Sequence, residues 1–512
     1  MLSKVKSFGL KGIEGYPIDI ESDVGNGLPH FEIVGLADTA IKEAKERVRS
    51  AIKNSAFEYP TKRITINLAP ADIKKEGALY DLAMAVAILS CNSEYKIKNE
   101  DKFVYIGELS FDGSVKPVRG VLPLLISARE LGYKNIIIPL GNKEEASYIT
   151  NINVYGVKSL RQTISFLCGE EELEPIKSCE YSSLQNNDDY DGLDFANVKG
   201  QAMAKRALEI AAAGGHNLLM VGPPGSGKSM LAKCFPSILP DMTFEEALEV
   251  TKIHSIAGEL DLKKGIVSTR PFRSPHHTAS TVSLTGGGAN AKPGEISLAD
   301  NGVLFLDEFP EYSRQTIETL RQPLEDGVIT VARSNATITY PANFTLIASM
   351  NPCPCGYRGS KDRECHCPPS KINRYLAKLS GPIMDRIDIH IEVDNVTYEQ
   401  LRSEEKEESS KEIRQRVNKA RALQAERFKN SKNFCNAKMS VAQTKRYCKL
   451  DSMGEAMLEN SFNSLKLSAR AHDRILKVAR TIADLEGCQN IEARHIAEAI
   501  SYRNLDRKLW KE

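Results

Sequence analysis

Residues 216–235 read HNLLMVGPPGSGKSMLAKCF. Four apolar residues, Leu218 to Val221, run into a glycine-rich loop, and a helix-compatible run follows it. The loop Gly222, Pro223, Pro224, Gly225, Ser226, Gly227, Lys228, Ser229 has the spacing G-x-x-x-x-G-K-[ST] of a P-loop. Its glycines let backbone N–H groups curl around phosphates, and the start of the helix at Ser229 and Met230 adds a favourable dipole. Lys228 is expected to reach the β- and γ-phosphates of ATP, and Ser229 to offer its hydroxyl to Mg²⁺. A chance glycine-rich turn would need neither the preceding strand nor the following helix, and both are present.

Two further strand ends belong with this loop. Val303 to Leu306 is an apolar run that ends on Asp307 and Glu308. Hydrolysis of a phosphoanhydride needs a carboxylate on the metal shell and another to polarise water, the roles expected of Asp307 and Glu308. A strand meeting solvent can also end in acids, but downstream of a P-loop the catalytic reading is the stronger. FTLIAS, residues 344–349, leads to Asn351, which can orient the attacking water or simply occupy a turn.

Outward from these strands the chain divides into blocks. Residues 1–170 mix β-like runs (RITINL 63–68, FVYIGEL 103–109, NIIIPL 135–140) with a helical pattern over 39–55, so they read as an α/β domain. Residues 171–193 are polar and acidic, a linker composition. Residues 194–393 form the P-loop α/β core, and 394–512 turn helical. Within the core, 267–293 carry Arg270, Arg273, His276, His277 and Lys292 around Gly286 and Gly288 with little periodicity. GVITVARSNATITYPANF, residues 327–344, reads as a hairpin turning at Ser334 and Asn335, with Arg333 at its tip.

Net charge is +1 over 512 residues, so any nucleic-acid footprint is local. Residues 411–449 hold twelve Lys or Arg against Glu412 and Glu426, which fits either a phosphate-binding stripe or a solvated helix face. No apolar run is long enough to span a membrane, and the N-terminus lacks a signal-peptide core, so a cytoplasmic protein is expected. Eleven cysteines fit that compartment as thiols or metal ligands. Cys353, Cys355, Cys365 and Cys367 cluster in CPCGYRGSKDRECHCPP, with His366 among them. Four thiolates suit a structural Zn²⁺, and a reduced cysteine-rich loop is the alternative.

The P-loop, the Asp-Glu strand, the SMN strand and GPIMDRIDIH (381–390) resemble AAA+ ATPases. GLPHFEIVGLADTAIKEAKERVRSAI, RITINLAPADIKKEGALYDLA, RPFRSPHHTAS and PGEISLADNGVLFLDEFPE extend the resemblance to the magnesium chelatase-like YifB/ComM family over nearly the whole chain. That resemblance implies a Lon-protease-like (ribosomal S5-type) α/β domain, a P-loop AAA+ α/β core and a C-terminal helical lid. It implies that Val198 and Gln201 pack on adenine, that Arg386 is an arginine finger acting on a neighbouring subunit's ATP, and that Arg470 is the sensor-2 arginine. It places 267–293 as an insert in a core helix and 327–344 as a pore hairpin. In KKEGALYDLAMA and GELSFDGSVKPVRGVLPLL, Leu79 and Leu122 stand where Lon proteases carry Ser and Lys, so no proteolysis is expected.

The resemblance also implies a homo-oligomer, a hexameric ring, acting on single-stranded or branched DNA. The ComM type points to a helicase for branch migration and DNA integration in recombination or natural transformation, with recombination proteins as partners. A protein-remodelling motor using the inactive Lon-like domain is the alternative. A chelatase motor subunit fits less well, because those subunits lack the long front domain.

Overall fold

The structure is a computed structural model; it describes residues 1–181, 192–288, 291–333, 336–359, 363–402, 407–429, 431, 434–465, 468–503 and 505. The chain forms two compact units, residues 1–185 with Phe244–Ser268, and 186–243 with Thr269–Glu512.

The first unit is built on a seven-stranded mixed sheet. Its strand order is His30–Val34, Arg63–Ala69, Glu14–Gly25, Leu2–Lys11, Phe103–Tyr105, Asn135–Pro139, Asn153–Val157. The three strands and the helix read from the sequence are present, the helix as Thr39–Asn54 with Asp38 capping the Ile41 N–H. Ile41, Ala44, Val48 and Ile52 are its buried stripe, as helical spacing requires. Two long strands were not anticipated. Leu2–Lys11 and Glu14–Gly25 pair as an antiparallel hairpin, although their charged residues mask the alternation.

The domain limits differ from the sequence reading at two places. Ile176 N–H donates to Val154 O, and Cys179 N–H to Ser147 O, so the start of the expected linker is tied to the first unit. Residues 182–191 of that linker lie outside the described residues. Phe244–Ser268, expected inside the P-loop core, belongs to the first unit. Its helix Phe244–Ala257 places the Ser255 hydroxyl on Glu145 and receives the Gly120 N–H. Apolar periodicity marks a buried face but does not say which domain covers it.

The second unit holds a five-stranded parallel sheet in the order Phe272–Arg273, Val303–Leu306, Thr345–Met350, Leu218–Val221, Ile389–Glu392. The middle three strands are buried at every position, which explains their continuous apolar runs. Phe272–Arg273, in a stretch read as loop, pairs with Val303 and Leu304; two residues are too few to show a period. The 327–344 hairpin is present, Val328–Arg333 against Ala336–Pro341. Its turn, Ser334 and Asn335, and the Arg333 side chain lie outside the described residues.

The chain after 394 is helical as expected. Ser410–Arg427, Ala469–Leu485 and Ala493–Ser501 pack their apolar faces into the same core as the helix Ala202–Gly214. Among the described residues, no helix is long and apolar enough to cross a membrane.

Candidate functional site

Parallel strands all end on the same side of their sheet, and open α/β sheets bind ligands beyond those carboxyl ends. Here Val221 opens into the loop 222–229, Leu306 into Asp307 and Glu308, and Met350 into Asn351. Leu218–Val221 runs beside Thr345–Met350, which in turn flanks Val303–Leu306, so the three ends converge. Gly222 is required by close approach, because a Cβ there would lie 2.1 Å from the Val393 carbonyl oxygen.

Lys228 folds back into its own loop. Its ammonium donates to the Gly222 and Pro223 carbonyls at 2.8 Å, and lies 3.3 Å from Ser226 Oγ and 3.5 Å from Asn351 Oδ1. Burial lowers its pKa to about 8, against the opposing pull of Asp307. Phosphate oxygens can replace those carbonyls and restore the charge's solvation.

Ser229 and Asp307, both assigned to Mg²⁺, touch: the hydroxyl donates to Asp307 Oδ2 at 2.8 Å. Two hard oxygen donors in contact below a phosphate loop fit a Mg²⁺ shell. The other Asp307 oxygen accepts from the Ser349 hydroxyl and from the Glu308 N–H. Ser349 was not singled out in the sequence, where SMN drew attention to Asn351 alone. Glu308 takes φ 50°, ψ 46° and its side chain is 54% exposed. Its Oε2 lies 3.2 Å from His277 Nδ1, and the His277 ring lies tilted against His276 with ring centres 4.1 Å apart. His277 was noted only as part of a basic insert, since nothing in its spacing joins it to Glu308.

Of the two residues expected to pack on adenine, Gln201 contacts the loop. Val198 is buried, and Gln201, at φ 58°, donates through Nε2 to Ser226 O and Asp394 O. Arg386 and Arg470 lie together elsewhere. Arg386 bonds Pro382 O and the Glu325 carboxylate, and Arg470 lies 3.9 Å from the neighbouring Asp385. Among the described residues neither pairs with the P-loop. Beside them Asp388 takes Arg474 at 3.0 Å and His216 at 3.2 Å; burial would raise its pKa, but the Arg474 charge and the hydrogen bond with His216 hold it well below the carboxylate range.

Cys353, Cys355, Cys365 and Cys367 come together with every sulfur within 4.8 Å of the others. Three of the separations are 3.3, 3.6 and 3.6 Å. Zinc–thiolate bonds of ~2.3 Å in a tetrahedron place sulfurs roughly 3.8 Å apart, so the group fits a four-coordinate metal. The Tyr357 backbone N–H and the neighbouring thiols lower Cys355 to about 6. His366 is not in the group.

The basic stretch splits in two. Arg416 pairs with Glu209 and Glu408, and Arg427 with the buried Asp484, so Arg416 ties the C-terminal helices to the helix Ala202–Gly214 as well as to Glu408, and Arg427 ties the C-terminal helices to each other. Lys411, Lys419, Lys429, Lys445, Arg446 and Lys449 remain exposed. In the first unit Leu122 is 1% exposed and its N–H donates to Glu145, while Leu79 packs against both apolar clusters. Of the leucines at the positions expected of a protease dyad, Leu122 is core and Leu79 is a partly buried residue packed against it.

Three family models match: "Subunit ChlI of Mg-chelatase" over residues 20–142, "Magnesium chelatase, subunit ChlI" over 194–401, and "Magnesium chelatase, subunit ChlI C-terminal" over 407–503. Competence protein ComM of Haemophilus influenzae is 44% identical over 100% of this chain and 99% of its own. YifB of Escherichia coli is 44% identical over 99% of this chain and 98% of its own. The Magnesium-chelatase 67 kDa subunit of Chlorobaculum tepidum is 28% identical over 31% of this chain and 23% of its own. With two relatives matched from end to end at that identity, the chain belongs to the magnesium chelatase-like YifB/ComM family.

Proposed function

We propose that this protein is an ATP-driven AAA+ ring motor that acts on DNA, a helicase promoting branch migration and integration in recombination or natural transformation. The Ser229–Asp307 contact beside Lys228 carries the ATPase reading, because it joins phosphate loop and metal carboxylate in one site. Lys228 and the loop N–H groups hold the phosphates, Mg²⁺ bound by Ser229 and Asp307 neutralises their charge, and Glu308 orients water with Asn351. Arg386, which bonds Pro382 and Glu325 rather than its own P-loop, serves a neighbouring subunit's ATP, which makes the active form an oligomer, a hexamer in this reading, and Arg470 is the sensor-2 arginine of the lid.

The DNA substrate is supported by end-to-end similarity to a competence protein and by the exposed Lys and Arg of residues 411–449. The four cysteines hold one Zn²⁺ as a structural clip. The first unit is a protease-like module without a catalytic dyad, and the place of work is the cytoplasm.

The test is ATP hydrolysis with and without single-stranded and forked DNA, with Glu308→Gln as control. Stimulation by DNA that fades as salt rises supports the motor reading. Turnover indifferent to DNA but raised by unfolded protein refutes the DNA substrate in favour of protein remodelling. Dependence on a porphyrin refutes it in favour of a chelatase motor.

A further inference from the structure

The four-cysteine group starts immediately after the strand that delivers Asn351. Cys353 is fully buried, two residues beyond that asparagine, and its carbonyl accepts the Gly356 N–H in a tight turn. The turn carries Gly356, at φ 85°, onto the P-loop. A Cβ on Gly356 would fall 2.5 Å from Pro224 Cδ and 3.8 Å from Asn351 Cγ, so the turn touches the phosphate loop and the water-positioning residue together. Beyond Cys367 the helix Pro369–Leu376 returns to the same place, with the Tyr375 phenol meeting the Asn351 backbone N–H. Two more bonds close the circuit: Gly222 N–H donates to Met350 O, and Asn351 Oδ1 faces the Lys228 ammonium. The cysteine group therefore leaves from Asn351 and comes back to it, with Pro224 wedged against its first turn.

Among the described residues, neither 353–359, 363–367 nor Pro224 lies in a helix or strand that would hold this contact. A cross-link among four sulfurs does hold it, and metal ligation supplies one without an oxidant. We propose that the metal bound by these cysteines is a clamp on the nucleotide site: it fixes Asn351 and the Pro224 side of the P-loop, so that loss of the metal weakens nucleotide binding and slows hydrolysis. The clamp rests on reading Cys353, Cys355, Cys365 and Cys367 as a zinc site and residues 222–229 as the nucleotide site. A group displaced by about an ångström at a reacting centre, or a lost support around a metal, costs on the order of 10- to 100-fold.

The experiment uses the full chain. Bound zinc is measured by atomic emission, ATP-analogue binding by fluorescence, and turnover by phosphate release. Each is measured as purified, after zinc is stripped with a mercurial and chelator, and after Zn²⁺ is returned. Expected are about one zinc per chain, an affinity and kcat each lower by roughly 10- to 100-fold after stripping, unchanged helicity, and recovery with Zn²⁺. Zinc that can be stripped with affinity and kcat intact overturns the clamp and leaves the zinc reading standing. An active ATPase that holds no metal overturns both and leaves the nucleotide site standing. Because a stripped or Cys355→Ser protein can unfold, Gly356→Ala is the second arm. Its methyl presses on Pro224 while every sulfur stays. A full zinc complement with nucleotide affinity about tenfold weaker supports the clamp; full zinc with wild-type affinity and kcat overturns it.

Discussion

The two large sheets of this molecule use buried polar groups in opposite ways. In the seven-stranded sheet unit such groups close on each other. Asp81 takes Arg47 through both carboxylate oxygens, and Glu145 accepts from Leu122 N–H, Asn142 and Ser255. Each donor to these two carboxylates has a fixed acceptor, and each group forms a closed network. Around the five-stranded parallel sheet the partners are exchangeable. Lys228 rests on carbonyls of its own loop, Ser229 and Asp307 hold each other where a cation fits, and Glu308 stands half in solvent against a histidine. Polar groups that keep one another's company stabilise a fold, whereas groups held by substitutable partners are ready for a ligand.

The sharpest break of this contrast is Lys228→Ala, which should reduce binding of an ATP analogue by about 100-fold or more, since a charge-assisted phosphate contact is lost; near-normal affinity would move the nucleotide site elsewhere. Next, Glu308→Gln should bind ATP normally but slow turnover by roughly 10²- to 10⁴-fold, seen in single-turnover phosphate release. Arg386→Ala should keep its own ATP and poison mixtures with wild type. A mixing curve that falls linearly with the mutant fraction would show that Arg386 does not act across a subunit boundary.

A smaller effect follows from the lowered Lys228 pKa. Below about 8 the ammonium is already charged and binding takes up no proton. As pH rises through that value the free protein loses the proton, while the phosphate-bound form keeps it. Affinity should then fall by up to roughly tenfold per pH unit, with proton uptake on binding. Calorimetry in buffers of different protonation heat measures that uptake directly. On the sealed side, Glu145→Ala leaves three donors without an acceptor and should cost about 1–3 kcal/mol, read by thermal melting, with ATP affinity nearly unchanged.

What could be read in advance follows the same division. The loop 222–229 and the pair Asp307–Glu308 were legible because each packs its chemistry into adjacent residues beside an apolar strand. Asn351 and the four cysteines were legible for the same reason. Ser349 and His277 were not: their roles arise when strand ends from distant parts of the chain meet, and a lone Ser or His carries no spacing signal. Arg470 and Arg386 were legible only through family resemblance, and their proximity at Asp385 needed the fold. Leu2–Lys11 and Glu14–Gly25 were missed because lysines and acids along the hairpin pair with each other, Lys6 with Asp19 among them, which hides the alternation.

Phe244–Ser268 sets the order in which this protein can be made. The first unit is incomplete until that segment joins residues 1–185, yet the ribosome must first deliver residues 186–243, which carry the phosphate loop. The Ser255 hydroxyl, which Glu145 accepts, and the Ser255 oxygen that caps Gly120 N–H are absent from the nascent chain until then. Domains generally fold as units while they emerge. Here the front unit is complete only once residues 244–268, which follow the phosphate loop in the chain, have been made. A fragment cut at the acidic linker would lack a helix of its own domain.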